Sequence, residues 1–257
     1  MTISTKPVEL RDILGVQVAD YSESEALSFI NACIEQRRYQ PIAFLNANNA
    51  NIAWTNPAAA IAFEHFVVLP DGIGVDMASR LLHGSTFKAN LNGTDFVPAL
   101  LKQAQRPLKV GLLGAAPGIA NKAVDGFTAI DGRHEYRVIS HGFFSSDEEA
   151  QVLEDLAEWK PDVLLVALGV PRQELWIQNQ LTARHCTVPI AVGALLDFVA
   201  GNAPRAPKWV RMIRSEWVYR LLVEPSRLWR RYLLGNPIFL TRALYQKRRS
   251  AKPEASK

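Results

Sequence analysis

Residues 108–118 read LKVGLLGAAPG, an apolar run that ends in a glycine-rich turn ahead of a stretch with helical periodicity. A strand, such a turn and a helix form the repeating unit of a parallel α/β sheet, in which N–H groups at the start of the helix can bind phosphate. Gly111, Gly114 and Gly118 give the spacing GxxGxxxG, not the GxGxxG of dinucleotide-binding proteins. The turn therefore predicts either a nucleotide site or a tight turn without a ligand.

Short apolar runs alternate with amphipathic stretches in both directions from this turn, up to about residue 200. This alternation predicts one Rossmann-like α/β domain, a mainly parallel sheet with helices on both faces. The predicted strands are Ile13–Val18, Ile42–Leu45, His65–Leu69, Leu108–Leu113, Tyr136–Ser140, Val163–Leu168 and Val188–Val192. The predicted helices are Ser22–Gln36, Asn51–Phe63, Ile73–Leu82, Thr94–Ala104, Pro117–Ile130, Ser146–Trp159 and Pro171–Leu181.

The composition agrees with a folded protein of a reducing compartment. The chain has 257 residues, of which 48% are apolar, and its two cysteines, Cys33 and Cys186, lie in separate apolar segments. The first ten residues lack the pattern of a signal peptide, and no uncharged apolar run approaches the roughly 18 residues of a spanning helix. We therefore expect a protein of the cytoplasm, free or peripheral on a membrane.

The charge is distributed unevenly along the chain. Residues 205–257 contain 14 Lys or Arg against 3 Asp or Glu, a net +11, whereas residues 1–204 carry 15 against 22, a net −7. A short basic segment suits a polyanionic partner. We therefore predict three parts, which are a Rossmann-like core at 1–203, a basic aromatic appendage at 204–247 and a disordered tail at 248–257.

Polar residues follow several predicted strands, where a parallel sheet presents its ligand-binding edge. Asn46 and Asn48 follow the strand at 42–45, and Asp71 lies on a Pro-Asp-Gly turn after the strand at 65–69. An asparagine there can instead cap the next helix, and an aspartate can form an Asx-turn. A carboxylate held on such a turn can also accept a proton from an attacking hydroxyl.

Two more clusters follow the last two predicted strands. Gly169 begins GVPRQE, which places Gln173 and Glu174 near a helix N-terminus, where a glutamate also complements the helix dipole. Gly193 begins GALLDFVAG, in which Asp197 lies in an apolar run and must be paired or face a wet cleft. An ion pair between Asp197 and an arginine of the appendage is the simpler interpretation.

Other catalytic signatures are missing from the sequence. GxSxG, Walker A, HExxH and DxD motifs do not occur, and the five histidines are scattered without metal-ligand spacing. We therefore expect neither a cofactor nor an obligatory metal.

In this order, the clusters resemble the WecG/TagA/CpsF glycosyltransferase family, whose pattern includes DGxG, GxPxQE, GxxxDxxAG and RAPxW…EWxYRLxxEPxRxxRRY. The resemblance covers roughly residues 12–235. The matching segments are Asn48, Asp71–Gly74, Gly93–Asp95, Gly111–Gly118, Gly169–Glu174, Gly193–Gly201 and Arg205–Tyr232. The resemblance implies an inverting transfer of a hexose from a UDP-sugar to an undecaprenyl-diphosphate-linked saccharide. It also implies that this reaction takes place at the cytoplasmic face of the bacterial inner membrane, in surface or exopolysaccharide biosynthesis.

The resemblance and the residue types together suggest a role for each candidate. Asp71 is the expected general base. Gly111, Gly114, Gly118, Gly169 and Gly193 are expected at the nucleotide. The expected substrate-binding residues are Asn46, Asn48, Asn90, Asp95, Gln173 and Asp197, together with four arginines that could bind diphosphate, Arg205, Arg214, Arg220 and Arg227.

Asn46 and Asn90 depart from the family, in which threonine and arginine are common at these two positions. These departures suggest a donor other than N-acetylmannosamine or its uronic acid, and AFLNANNAN and LNGTDF resemble xanthan-type enzymes that use UDP-glucose. The sequence also permits two other functions. The glycine-rich turn fits an oxidoreductase, and the basic aromatic segment fits a nucleic-acid-binding protein. We expect an anionic membrane rather than nucleic acid, with Trp209, Trp217, Trp229 and Tyr232 at the bilayer interface.

Overall fold

The computed structural model describes residues 8–207, 210 and 216–250. Eight strands form one sheet in the order β1-β2-β4-β3-β8-β7-β5-β6, and only the β1–β2 pair is antiparallel. The strands are β1 (Leu10–Ile13), β2 (Val16–Ala19), β3 (Ile42–Leu45), β4 (Val67–Pro70), β5 (Lys109–Gly114), β6 (Glu135–Ser140), β7 (Val163–Ala167) and β8 (Val188–Ala191). The predicted α/β class with a mainly parallel sheet is confirmed.

Helices connect the strands and cover both faces of the sheet. Up to the end of the predicted core they are α1 (Glu23–Glu35), α2 (Ala47–Thr55), α3 (Pro57–Glu64), α4 (Ile73–His83), α5 (Gly93–Gln103), α6 (Ile119–Ile130), α7 (Ser146–Trp159), α8 (Arg172–Gln180) and α9 (Leu195–Val199). The C-terminal segment adds α10 (Glu216–Val223), α11 (Pro225–Trp229), a π-helical turn (Arg230–Leu234) and α12 (Gly235–Ser250). Within the described part of the chain, no helix is both long and apolar enough to cross a membrane.

The central strands are apolar along their whole length because the helices bury both faces of the sheet. Every residue of β3, β7 and β8 is buried. Two clusters of buried side chains, one including Leu112 and Phe127 and the other including Leu45 and Phe239, fill the spaces between the sheet and the helices. The sheet is thus a rigid platform for the loops at its carboxyl edge.

Two predicted elements are each divided in the structure. The predicted strand at 13–18 is a hairpin, because Leu14 and Gly15 adopt positive φ and reverse the chain between β1 and β2. The predicted helix at 51–63 is interrupted at Asn56, which is extended because the next residue is Pro57. Asn56 also caps α3 by accepting the N–H of Ala59 at 3.2 Å.

Helix α12 packs into the core although its sequence is basic. Phe239 and Ala243 have no exposed surface. Arg242 donates to Asn51 Oδ1 at 2.8 Å, and Gln246 donates to Asp12 Oδ1 at 2.8 Å, which joins α12 to α2 and to the β1–β2 hairpin. The helix continues to Ser250, so the predicted disordered tail at 248–257 begins too early, and residues 251–257 lie outside the described part.

Replacing Phe239 with alanine should lower the free energy of unfolding by about 3–5 kcal/mol, the usual cost of emptying a buried phenylalanine site. Urea denaturation of the full chain measures this loss. Leu244→Ala is the matched control, because Leu244 lies on the same helix but is 44% exposed, and it should cost less than about 1 kcal/mol. Equal losses in the two variants would contradict the packing of α12 into the core.

Candidate active site

The carboxyl ends of five adjacent strands carry the predicted site residues. These strands are neighbours in the order β4-β3-β8-β7-β5. The turns after β4 and β3 therefore lie beside the turns after β8, β7 and β5. This edge is where open parallel α/β sheets bind their ligands. The site has two parts, a polar cleft over β3 and β4 and a group of glycine-rich turns over β8, β7 and β5.

The polar cleft has a volume of about 540 Å³ and lies between the core and the C-terminal segment. Its floor consists of the turns after β3 and β4, the start of α4 and the loop that leads into α5. Its roof consists of α10, the π-helical turn and the start of α12. The roof contributes Glu216, Trp217, Arg220, Arg231, Tyr232, Leu233, Asn236, Pro237, Phe239 and Leu240.

Asp71 lies half-buried on the floor of this cleft. Its backbone N–H donates to the carbonyl of Leu45 at 2.9 Å, which fixes the turn to the end of β3. Burial raises the pKa of the Asp71 carboxyl above its ordinary value, while an N–H of Asn46 at 3.3 Å and the charges of Arg231 and Arg220 partly oppose this rise. A carboxylate that is desolvated, held in place and open to a cleft can accept a proton.

Three asparagines surround the Asp71 turn. Asn46 accepts the N–H of Asn49 at 3.1 Å and donates to Asp71, so it both caps α2 and holds the carboxylate. Asn90 accepts the N–H of Gly72 at 2.6 Å from the opposite side. Asn48 lines the cleft beside Asn46. The sequence thus predicted correctly that these residues come together, whereas the neighbouring Asn49 is buried and donates to the carbonyl of Phe44 at 2.9 Å.

Two arginines of the roof face the floor. Arg220 stacks over the ring of Phe198 at 5.0 Å and interacts electrostatically with Asp71. Arg231 is largely enclosed, so burial lowers the pKa of its guanidinium, and its Nε has no hydrogen-bond partner among the described residues. A desolvated guanidinium that still has a donor to offer is suited to binding an anion.

The other predicted arginines lie elsewhere. Arg205 pairs with Asp95 at 2.7 Å, which places Arg205 at the edge of the cleft that Asp95 lines. Arg227, also predicted at the substrate, is exposed, pairs with Glu224 and is not among the residues that line the cleft. Arg214 lies outside the described residues.

The glycine-rich turns form the second part of the site. Gly114 ends β5 with a φ of +117°, and a Cβ there would lie 2.4 Å from the carbonyl oxygen of Ala167, so only glycine fits. Gly118 begins α6 and has open space around it. Gly111 was expected at this turn, but it lies inside β5, where a Cβ would meet Leu164 Cδ1 at 2.8 Å. Gly111 therefore serves the packing of the strand.

Gln173 joins the turns after β7 and β8. It is 2% exposed, and its Oε1 accepts the N–H of Gly193 at 3.1 Å. Its Nε2 donates to Glu174 Oε1 at 2.8 Å. Glu174 is 1% exposed, and burial raises its pKa to about 7. Gly169, which the sequence also predicted at this edge, begins the turn before α8 with open space around it.

Asp197 lies on α9 next to the same turns. Its carboxylate accepts an N–H of Asn202 at 3.1 Å, and its backbone carbonyl accepts the N–H groups of Asn202 and Ala203. Its charge also acts on Arg227. Asp197 therefore stabilises the chain where it leaves the core for the C-terminal segment.

Several residues of the site were not predicted from the sequence. Arg231, Tyr232 and Trp217 all line the cleft, and the last two rings pack together at 5.8 Å. Trp217 and Tyr232 were expected in the bilayer interface, and instead they face the cleft. Phe143, which is 70% exposed, lies beside the glycine-rich turn, because the N–H of the preceding Gly142 donates to the carbonyl of Ala115 at 2.8 Å.

A Rossmann-like sheet with a polar cleft at its carboxyl edge defines a broad class of ligand-binding α/β proteins. Comparison with known families narrows this class. The family model described as the glycosyl transferase WecG/TagA/CpsF family matches residues 11–253. The chain belongs to this family, as the motifs of the cleft and the C-terminal segment predicted.

Relatives of similar length support the assignment. An N-acetylglucosaminyldiphosphoundecaprenol N-acetyl-beta-D-mannosaminyltransferase of Bacillus spizizenii is 32% identical over 240 residues, which cover 91% of each chain. The protein of the same name from Staphylococcus aureus is 29% identical over 249 residues, which cover 94% of each chain.

The pH dependence of stability should report the buried carboxyl of Glu174. Because its folded-state pKa of about 7 lies above the ordinary 4.5, the folded protein binds this proton more tightly than the unfolded chain. The stability that this proton contributes is complete below about pH 4.5 and is lost as the pH rises through 7. Each tenfold difference in proton affinity between the folded and unfolded states corresponds to about 1.4 kcal/mol.

Urea denaturation should therefore show that the free energy of unfolding falls more between pH 5 and pH 8 in the wild type than in Glu174→Gln. The glutamine cannot ionise. The expected difference between the two losses is about 2–3 kcal/mol. The same loss in both proteins would mean that Glu174 titrates normally.

Proposed function

We propose that the protein transfers a hexose from a UDP-sugar to an undecaprenyl-diphosphate-linked saccharide, with inversion at the anomeric carbon. The observation that carries this proposal is the cleft in which Asp71 lies opposite Arg220 and Arg231, on a turn held by Asn46 and Asn90. Membership of the glycosyl transferase family and the acceptor in the names of the Bacillus and Staphylococcus relatives support it.

The chemical step follows from the carboxylate. An acceptor hydroxyl attacks the anomeric carbon as the bond from that carbon to the phosphate oxygen breaks, and UDP departs with the electron pair. Asp71 takes the hydroxyl proton, so charge does not build up on the attacking oxygen. One displacement of this kind inverts the configuration. Asn48 and Asn90 are placed to bind hydroxyls of the sugars beside the base.

The nucleotide is assigned to the turns after β5, β7 and β8. Gly118, Gly169 and Gly193 leave open space there, and the N-terminus of α6 favours a phosphate. Phe143, exposed beside the glycine-rich turn, offers a flat apolar face on which the uracil can stack. Gln173, locked between Gly193 and Glu174, would fix the distance between these turns.

Arginine charge is the proposed partner of the diphosphates. Arg231 and Arg220 enter the cleft from the roof, and guanidinium pairs well with phosphate oxygens. As UDP leaves, the negative charge that develops on its phosphate would be stabilised by these desolvated cations. The proposal includes no obligatory metal, so transfer should continue in the presence of EDTA.

The outer side of the roof suits a bilayer at the cytoplasmic face. Three successive segments, α10, α11 and the π-helical turn, expose large apolar side chains that the core does not cover. They are Val218, Leu222, Val223, Trp229 and Leu234. Apolar side chains among basic residues bind anionic membrane surfaces. Such an interface would bring a lipid-linked acceptor to the cleft.

Asp71→Asn should fold normally and lower kcat by about 10² to 10⁴, the usual loss when a positioned base is removed. UDP release would be measured with UDP-N-acetylmannosamine and UDP-glucose as donors and a synthetic undecaprenyl-diphosphate saccharide as acceptor. The acidic limb of the pH–rate profile, where Asp71 becomes protonated, should disappear in the variant. Asp125→Asn, an exposed carboxylate on α6, is the control. Wild-type kcat in Asp71→Asn would exclude Asp71 as the base.

Leu222→Asp combined with Leu234→Asp should reduce binding to vesicles of anionic phospholipid at least tenfold, since a buried leucine contributes about 1.5–3 kcal/mol. Leu222 and Leu234 are 76% and 51% exposed, and co-sedimentation measures the change. Ile61→Asp, which alters an equally exposed residue of α3, should leave binding unchanged. Tight binding to single-stranded DNA together with no binding to vesicles would favour the nucleic-acid function instead.

A further inference from the structure

The β1–β2 hairpin contains a buried ion pair that no part of the proposed chemistry uses. Arg11 and Asp20 are 6% and 1% exposed, and their side chains meet at 2.7 Å between Nη2 and Oδ2. Neither residue lines the cleft. A buried ion pair gives little net stability compared with apolar packing, but its fixed geometry suits a role in holding one conformation.

Arg11 holds the loop that connects α4 to α5, residues 84–92. Its Nη1 lies 3.0 Å from the carbonyl oxygens of both Ser85 and Thr86, and 2.9 Å from the hydroxyl of Ser79. Its guanidinium also stacks over the ring of Phe87 at 5.3 Å. One buried cation thus binds three consecutive residues of the loop.

Two buried carboxylates hold the next N–H groups of the same loop. Asp76 Oδ1 accepts the N–H of Phe87 at 3.3 Å, and Asp20 Oδ1 accepts the N–H of Lys88 at 2.8 Å. Together the guanidinium and the two carboxylates bind two carbonyls and two N–H groups of the loop between residues 85 and 88. Hydrogen bonds to charged groups in a desolvated setting are strong and directional, so the path of this loop is tightly fixed.

The far end of the loop reaches the catalytic turn. Asn90 accepts the N–H of Gly72 at 2.6 Å, and the N–H of Leu91 donates to the carbonyl of Pro70 at 2.8 Å. These two bonds flank Asp71 on both sides in sequence. Two sets of hydrogen bonds, joined by the short backbone through Ala89, therefore connect Arg11 and Asp20 to the turn that carries the proposed base.

We propose that Arg11 and Asp20 are positioning residues for the site, acting through the loop at 84–92 and Asn90 on the Asp71 turn. The N-terminal hairpin is then part of the catalytic machinery, although it touches no substrate. The kinetic part of this inference rests on the proposed function, because it assumes that Asp71 must be aimed at an acceptor hydroxyl.

Arg11→Lys tests the proposal, because lysine keeps the charge beside Asp20 but lacks the planar fork that reaches Ser85 and Thr86. We expect kcat to fall about 10-fold to 100-fold, as small displacements of a reacting group do, with little change in the dissociation constant for UDP. The matched control is Arg106→Lys, which weakens the fork between Arg106 and Asp162 at the opposite edge of the sheet. It should lower the melting temperature and leave kcat unchanged.

A double-mutant cycle separates positioning from a general loss of stability. If Arg11 acts through Asn90, then Arg11→Lys should lower kcat much less in an Asn90→Ala background than in the wild type. If the two substitutions instead lower kcat independently, so that their fold-losses multiply in the double variant, the proposal is overturned. The proposal would also be overturned if Arg11→Lys lowered the melting temperature but kept kcat within twofold of the wild-type value.

Hydrogen exchange gives a readout that needs no activity. In Arg11→Lys, the backbone amides of Phe87, Lys88 and Gly72 should exchange at least about tenfold faster, and in Arg106→Lys they should not. Unchanged exchange at Gly72 would refute the coupling, whatever reaction the site catalyses. Faster exchange at Gly72 in a protein that transfers no sugar would instead refute the proposed function and leave the coupling intact.

Discussion

The packing of Phe239 beside Gly74 is the contact on which the site depends. Gly74 lies at the start of α4, directly after the Asp71 turn, and a Cβ there would lie 3.3 Å from Ala47 Cβ and 3.8 Å from the Phe239 ring. One buried ring thus joins the floor of the cleft to helix α12. Because α12 follows the π-helical turn without a break, this contact also sets the position of the roof.

Asp71 and Glu174 both have pKa values raised by burial, but they differ in their access to the cleft. Asp71 lines the cleft and faces two arginines, so a ligand in the cleft can reach its carboxyl. Glu174 is sealed under the turn after β7, with one oxygen bonded to Gln173 and the other without a partner among the described residues. Desolvation acts on both, but only an accessible group can serve as a base.

Much of the core and the floor of the cleft could be predicted, because local sequence determines them. The strand at Ile42–Leu45 and the helix at Ser146–Trp159 match the structure, and polar residues after parallel strands meet at one edge. The break at Pro57 follows a local rule and was missed. The roof could not be predicted from helical periodicity, because the π-helical turn changes the phase of the helix. Arg231 lies within this turn and lines the cleft, whereas Arg227 of the preceding helix does not.

A comparison of two adjacent arginines tests most directly whether the C-terminal segment completes the active site. Arg231 lines the cleft, whereas Arg230 is exposed and stacks on Trp229 at 5.3 Å. With a water-soluble, short-chain lipid-diphosphate saccharide as acceptor, Arg231→Gln should lower kcat/KM about 10-fold to 100-fold, the usual loss when a hydrogen bond to a charged group is removed. Arg230→Gln should leave it unchanged. Full kcat/KM in Arg231→Gln would mean that the segment does not complete the site.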